Sequence, residues 1–543
     1  MLVSRPPPGV RGTIHRRGLS PGRAALAVSA GATMTLAFAP YSLVAAAPVS
    51  IAAMIMAVSG LRPRTAVLLG WGYGFSFLGT HMAWLAASMG VTAWIAVVVL
   101  QACWFAMWSA LCVLARPGVA SPLWMATTWT LVELLRSAWP FGGLPWGRAG
   151  FVVVDSWWQG WLAYVGVTGA TFLIVLSGAG LAAALGRVRR RPALTVGLVL
   201  GAATLSVTPL VSPYAPKERG SFLVALVQGA VPGDGTQVAA HHREVTRSHA
   251  RATVELARSI AERGDQAPDL VVWPENSTAT DPLTQPEVSA VVQTAAASLG
   301  APLLVGAITD GPRVGTAANQ GIVWRAGGPT ADRYTKRHPV PFGEYIPLRS
   351  LLGGISPRLA EIPRDMLPGG RSTPLQIGKV LVADAICFDV AFDDVIPTQV
   401  ANGAQVVVVQ TSNASFLGTS QLEQQLDITR ARALESGRWV AVASLNGISA
   451  VIRPDGSLAA RAAIREPAVL VERLGLVSEL SPAIKFQSHW PGALVVAAAA
   501  MASLRLLRHA RAGRPSRWNV RGGGGTRRHP HHTSHLTTKS SSR

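Results

Sequence analysis

Two patterns of apolar spacing divide the chain. From residue 24 to 211 long apolar runs follow one another, near 24–40, 42–60, 65–88, 92–115, 121–139, 161–185 and 193–211, and an eighth lies at 490–507. A helix needs about 20 apolar residues to cross a bilayer, so these runs predict eight membrane-spanning helices. Between 212 and 488 the pattern shortens. Candidate strands at 222–228, 269–275, 302–308, 320–326, 380–387, 404–412 and 440–447 alternate with helical stretches at 242–263, 285–299 and 421–437. That alternation predicts an α/β layer architecture with strands buried on both faces.

The positions of the basic residues give these runs a direction. The N-terminal tail, Arg62 with Arg64, Arg116, the cluster "GRVRRRP" at 186–192 and the C-terminal tail all fall on one side if every run crosses. Excess Lys and Arg mark the cytoplasmic side. The expected organisation is a basic cytoplasmic tail (1–23), a seven-span domain (24–211), an extracytoplasmic α/β domain (212–488), an eighth span (489–508) and a basic cytoplasmic tail (509–543). The first run, with its basic flank and "VAAAP", is also compatible with a cleaved signal peptide.

Composition agrees with a membrane protein: of 543 residues 49% are hydrophobic and only 14% charged. The net charge of +21 could suggest a nucleic-acid partner. Nineteen of the basic residues, however, lie in 1–23, 186–192 and 505–543, where they flank apolar runs, so no nucleic acid is expected. The three cysteines, Cys103, Cys112 and Cys387, offer neither a disulfide framework nor a metal-ligand spacing. "HPHHTSH" in the C-terminal tail reads as solvated chain. No cofactor or metal is expected, and nothing in the chain demands more than a monomer.

After the fifth run, "RSAWPFGGLPWGRAGFVVVDSWWQGW" is rich in Trp, Pro and Gly, as expected of an arm lying at headgroup level, with Trp146 near its centre. Glu133 and Arg136 stand three apart at the outer end of that run and can pair on one helix face. Ionisable residues at membrane depth are functional candidates, although an end pair reaching toward water has the same sequence.

Three strand or loop ends of the α/β domain carry a reactive residue: Glu275 in "VVWPENS", Lys336 in "RYTKRHPVPFGEYIP" and Cys387 in "ICFD". A cysteine nucleophile is only a few per cent thiolate near neutrality and needs a base and a cation beside it. Glu275 can take the thiol proton. Lys336 and the backbone N–H of Phe388 can hold a developing oxyanion. Each residue alone is weak: a lone cysteine at a strand end is more often a small buried hydrophobe.

Taken together, "WPENS", "YTKRHPVPFGEYIPL", "ICFD", "QTSNASF", "ITRARALESGRW" and "SLNGISAVIRPDGSL" resemble, in order, the motifs of the carbon–nitrogen hydrolase (nitrilase) superfamily. The eight-span frame resembles the superfamily's membrane branch, the apolipoprotein N-acyltransferases, as do "LPWGRAGF" and the "ELLR" containing Glu133. The resemblance implies a multi-span α-helical membrane domain with a nitrilase-like αββα sandwich on the extracytoplasmic face of the bacterial plasma (inner) membrane. It implies Glu275 as base, Lys336 as oxyanion support, Cys387 as nucleophile and Glu344 in "PFGEY" as a second glutamate that orients the lysine.

The implied reaction is ping-pong. Cys387 takes an acyl chain from a phospholipid acyl donor as a thioester, and the amine of a diacylglyceryl-modified apolipoprotein cysteine receives it. Phe388 and Asp389 stand where the family more often has Tyr and Glu, and Ala414–Ser415–Phe416–Leu417 replace Asp-Ala-Trp-Phe. Other readings are a membrane-anchored amidase or nitrilase-like hydrolase and a weakly active lipoprotein-binding scaffold.

Overall fold

The computed structural model describes residues 19–114, 120–186, 213–354, 359 and 362–512, apart from Asp234, Thr236, Gln237 and Ala239. The expected span at 193–211, Arg116, the arginines at 187–191, and the tail segments before residue 19 and after 512 lie outside the described residues.

The N-terminal part is helical: α1 (Pro21–Thr35), α2 (Ala46–Val58), α3 (Pro63–His81), α4 (Trp84–Met89), α5 (Val91–Val113), α6 (Ala120–Arg136) and α7 (Leu162–Leu185). Pro21 and Pro63 stand at helix starts, where a missing N–H removes no helical bond. Small residues let these helices touch: a methyl on Gly70 of α3 would overlap Ser109 Oγ and the Phe105 carbonyl of α5. Some polar groups between helices are satisfied, as where Ser50 Oγ donates to the Ala30 carbonyl at 2.7 Å and sits 2.9 Å from Tyr73 Oη, whereas Gln101 Oε1 and Ser109 Oγ of α5 are buried with no hydrogen-bond partner among the described residues.

A helix stands at each expected crossing that is described, but most are shorter than the apolar run suggested. Among the described residues two helical segments, Val91–Val113 and Gln159–Leu185, are long and apolar enough to cross a membrane. In the first run, α1 ends at Thr35 and a non-helical turn through Phe38 follows before α2 begins. α7 is interrupted at Gly166, whose φ of 65° and ψ of −176° leave the helical region. Such a left-handed φ is strained for any residue with a Cβ. The break frees the Val167 N–H, which donates to Glu435 Oε1 at 3.0 Å.

The α/β part is two stacked sheets. The first runs β13-β1-β2-β3-β4-β5, with β6 (Asp365–Met366) paired to β4. Its strands are β1 (Glu218–Gln228), β2 (Leu270–Val272), β3 (Leu303–Asp310), β4 (Thr316–Arg325), β5 (Gly328–Thr335) and β13 (Ala468–Val477). The second runs β12-β11-β10-β9-β8-β7, built from β7 (Leu375–Ile377), β8 (Val380–Ile386), β9 (Val406–Thr411), β10 (Val440–Ser444), β11 (Ala450–Ile452) and β12 (Leu458–Arg461). Helices His242–Arg263 and Pro286–Leu299 cover the first sheet, and Ile396–Ala401 and Gln421–Ser436 accompany the second, giving an αββα sandwich. Trp273, Trp324, Leu303 and Ile322 pack against Ala250, Leu256, Val292 and Ala295 to form the core beneath the first helical layer.

The centre of each sheet is parallel, β1-β2-β3 and β8-β9-β10, and the other pairs are antiparallel except that the short β6 pairs parallel with β4. The expectation of strands buried on both faces holds for those central strands. It fails at β5, an edge strand, and at the first residues of β1, which run past the end of β2.

Candidate active site

Four strand ends open on one side of the sandwich. Glu275 lies three residues beyond β2, Lys336 follows β5 directly, Cys387 follows β8 directly and Ser412 follows β9 directly. Parallel central strands put their carboxyl ends on one edge, so residues far apart in sequence converge there.

Lys336 Nζ lies 3.2 Å from Glu275 Oε1 and 2.9 Å from Glu344 Oε1. Asn319 of β4 bridges the same two carboxylates, with Nδ2 at 2.7 Å from Glu275 and 3.3 Å from Glu344. Backbone donors hold the outer oxygens: Ser412 N–H to Glu275 Oε2 at 2.9 Å, and Val340 N–H to Glu344 Oε2 at 2.7 Å. Burial alone would lower the Lys336 pKa, but Glu275 and Glu344, with Cys387 and Asp389 behind them, raise it well above the usual lysine value. Lys336 is therefore a fixed buried cation. Removing one partner from such a group costs about 3–5 kcal/mol, because the remaining charge is stranded.

Cys387 opens a tight turn, Cys387–Ala391, with a φ of 52°. This left-handed backbone turns the residue off the line of β8 and stores strain of order 1–3 kcal/mol. Although the residue keeps some accessible surface, burial of its sulfur pushes the thiol up to about 12. Glu275 adds to the rise, whereas the Lys336 cation and a Thr411 hydrogen bond oppose it. The resting sulfur is a thiol, so attack requires a base that removes its proton as the bond forms.

Asp389 fastens this turn to the lysine loop. Its Oδ2 accepts from Tyr334 Oη at 2.8 Å and from the N–H groups of Arg337 and Ile386, each at 3.3 Å, and its Oδ1 accepts from His338 N–H at 2.9 Å. Burial raises its carboxyl pKa, and Lys336, His338 and Tyr334 restrain the rise. The shorter carboxylate that stands out in the sequence is thus fully bonded. Phe388 is buried and stacks with Trp146 at 6.3 Å and an interplanar angle of 23°.

The outlying candidates are placed differently from expectation. Glu133 forms its ion pair with Arg148 rather than Arg136, Oε1 lying 3.4 Å from Arg148 Nε. It also accepts from Ala149 N–H at 2.9 Å and from Thr171 Oγ1 at 2.5 Å. Arg136 reaches instead to the carbonyls of Leu144 and Trp146, at 2.8 and 2.9 Å, because the arm folds back across the end of α6. Only part of the arm fits an interfacial role: Trp139 is 65% exposed, whereas Trp146 is 2% exposed and packed against the sandwich.

Sequence reasoning missed a buried ionic chain beneath the nucleophile turn. Asp393 Oδ1 lies 2.7 Å from Arg148 and 2.9 Å from Arg432. Arg432 also donates to the carbonyls of Val390 and Ala391 and pairs with Glu435, whose other oxygen holds Val167. Arg432 and Glu435 lie in "ITRARALESGRW", so the motif carried them without showing their role; Asn319 had no sequence signal at all. Among the described residues no cluster of metal-ligating side chains occurs.

The chain matches the family model "Apolipoprotein N-acyltransferase N-terminal domain" over residues 30–180 and the model "Carbon-nitrogen hydrolase" over residues 223–477. A relative named apolipoprotein N-acyltransferase from Mycolicibacterium smegmatis is 31% identical, covering 94% of this chain and 91% of the relative. Another of that name, from Pseudomonas putida, is 29% identical over 87% of this chain and 94% of its own length. The crystal structure of Nit3 from Saccharomyces cerevisiae, of the nitrilase superfamily, aligns at 20% identity over 48% of this chain and 93% of its own, with a TM-score of 0.35, too low to carry weight. The sandwich, the converging strand ends and a relative matched along nearly its whole length agree: the chain belongs to the apolipoprotein N-acyltransferase family.

Proposed function

We propose that this protein N-acylates the N-terminal S-diacylglyceryl-cysteine of apolipoproteins, the last step of lipoprotein maturation, with a membrane phospholipid as acyl donor. The observation that carries the chemistry is the buried Glu275–Lys336–Glu344 cluster at the strand ends where Cys387 also sits. Family membership supports the substrate class.

In the first half-reaction Glu275 takes the Cys387 thiol proton as sulfur attacks the ester carbonyl. Lys336 and the Phe388 N–H hold the oxyanion, the carbon–oxygen bond breaks, and the proton passes to the leaving lysophospholipid alkoxide. In the second, the cysteine amine attacks the thioester, the carbon–sulfur bond breaks, and the amine proton returns through Glu275 to the thiolate. Glu344 and Asn319 keep Lys336 aimed at the oxyanion, and Asp389 fixes the nucleophile turn against the lysine loop.

The remaining organisation follows the expected boundaries: a seven-span domain over 24–211, the catalytic sandwich over 212–488 on the outer face of the bacterial plasma membrane, and an eighth span at 489–508. Both substrates are lipid-embedded, which a multi-pass enzyme reaches without extracting them into water. A monomer suffices, since the cluster is built from one chain.

Purified protein incubated with phospholipid should carry a fatty acyl mass on the peptide containing Cys387, released when a diacylglyceryl-cysteine peptide is added. Cys387→Ala should abolish the adduct. Decay of the adduct to free fatty acid at the same rate with and without the peptide would defeat the transferase reading in favour of hydrolysis.

A further inference from the structure

Gln424, on the helix Gln421–Ser436, is 5% exposed and far in sequence from every other group it touches except Ser420. Its Oε1 accepts two indole N–H bonds, from Trp84 at 3.0 Å and from Trp146 at 2.8 Å. Its Nε2 donates to the His81 carbonyl at 3.1 Å and, more weakly, to the Ala39 carbonyl at 3.4 Å. Two donors face the oxygen and two carbonyls face the nitrogen, so only one orientation of the amide satisfies the site. A glutamate would keep the indole bonds but oppose both carbonyls.

The two indoles belong to a row of rings beside the nucleophile. Trp84 meets Phe416 edge-on at 5.3 Å and Trp146 at 5.6 Å; Trp146 stacks on Phe388, which meets Phe392 edge-on at 5.0 Å. Phe388 is the residue after Cys387. The row therefore draws on three separate segments, α4, the arm and the sandwich, and Gln424 is the polar group bonded to the first two. Trp146 is almost wholly buried, so its N–H has no water to replace the lost acceptor, and an unmade buried bond costs about 1–3 kcal/mol.

We infer that Gln424 is a positioning residue for the acyl donor: its amide ties the part-exposed indole of Trp84 to the buried indole of Trp146, and so fixes the wall formed by the part-exposed rings of Trp84 and Phe416, along which a long acyl chain lies as its ester reaches Cys387. This rests on the acyltransferase reading and adds to it the group that shapes the chain-binding surface. The consequence is selective. Loosening the wall weakens capture of a long chain, while the thiol, the lysine and the glutamates keep their geometry.

The test uses the full-length protein in detergent micelles, with dipalmitoyl and dihexanoyl phosphatidylethanolamine as donors and thioester formation as the readout. Gln424→Met, of similar shape but without the amide, should slow loading from the dipalmitoyl lipid about tenfold through KM and leave dihexanoyl loading within about twofold of wild type. The rate of Cys387 alkylation by iodoacetamide should not change, and the tryptophan emission should shift. Trp84→Phe, which keeps a ring and removes one of the two N–H donors, should move the ratio of the two donors in the same direction and serves if Gln424→Met does not fold. A donor ratio equal to wild type in either folded variant overturns the inference while leaving the transferase reading intact. Failure of the wild-type protein to load either lipid overturns both.

Discussion

Cys387 lies under two opposing influences whose balance can be changed one residue at a time. Burial and the Glu275 carboxylate favour the thiol, while Lys336 and Thr411 favour the thiolate. Replacing Glu275 by Gln removes a negative neighbour, so the thiol pKa should fall from about 12. Iodoacetamide alkylation of Cys387 at pH 9 should then become faster, while acyl loading falls by two to three orders of magnitude, the usual contribution of a general base. Slower alkylation in Glu275→Gln would show that loss of the base outweighs the fall in the thiol pKa. The raised thiol pKa also favours the folded state below about 8.5, the unfolded value, and that contribution is lost as the pH rises toward 12. The proposed reactive residues were legible because each stands in a distinctive motif, and two of them, Glu275 and Cys387, close an apolar run. Asn319 was not: it lies inside β4 with no flanking signal, and only the fold brings its amide between two carboxylates. Asp389 was legible as a departure, but its four bonds come from a loop some fifty residues upstream and from its own turn, and spacing does not reveal those.

The turn after β8 is held from below by Arg432, which grips the carbonyls of Val390 and Ala391 and shares Asp393 with Arg148. Burial opposes the charge on Asp393, yet the two guanidinium groups hold its carboxyl well below the usual range. A lowered carboxyl pKa stabilises the fold above the unfolded value of about 3.9 and is lost as the pH falls through the folded one. Asp393→Asn should therefore cost about 3–5 kcal/mol at pH 7 in a denaturant titration, with the difference from wild type narrowing only below about pH 4. An equal cost at all pH values would mean that charge is not what Asp393 supplies. Helix positions were the most legible elements: the stretch 242–263 coincides with His242–Arg263, and 421–437 ends one residue beyond Ser436. The strands β5, β7 and β11 to β13 escaped because they are either short, as β7, β11 and β12 are, or half-exposed, as β5 and β13 are, and so lack the long buried apolar run that marked the central ones. Glu133 was paired with the wrong arginine because helical spacing sees Arg136, whereas the arm that brings in Arg148 is tertiary.

Across the whole molecule, the arm, α4 and α7 meet the sandwich through Gln424, Arg148 and Glu435, so the helical and catalytic parts share one set of buried polar bonds. The proposed topology places the sandwich outside the cell membrane. The tip of the loop before β4 offers a probe, since Val314 is fully exposed there. In a protein with Cys103→Ser, Val314→Cys should be labelled by a membrane-impermeant maleimide added to spheroplasts. Labelling only after lysis would reverse the orientation.

The first and last strands of the catalytic part are neighbours: β1 pairs with β13 from Glu218↔Val477 to Gln228↔Ala468. During synthesis the sheet that carries Glu275 and Lys336 thus stays open along β1 until residue 477 has left the ribosome and, in the proposed topology, crossed the membrane. The growing chain has a thiol and a glutamate long before it has a closed sandwich to hold them. Closure of the site therefore waits for β13, so in the proposed topology a nascent chain cannot turn over lipid until nearly all of it has been made.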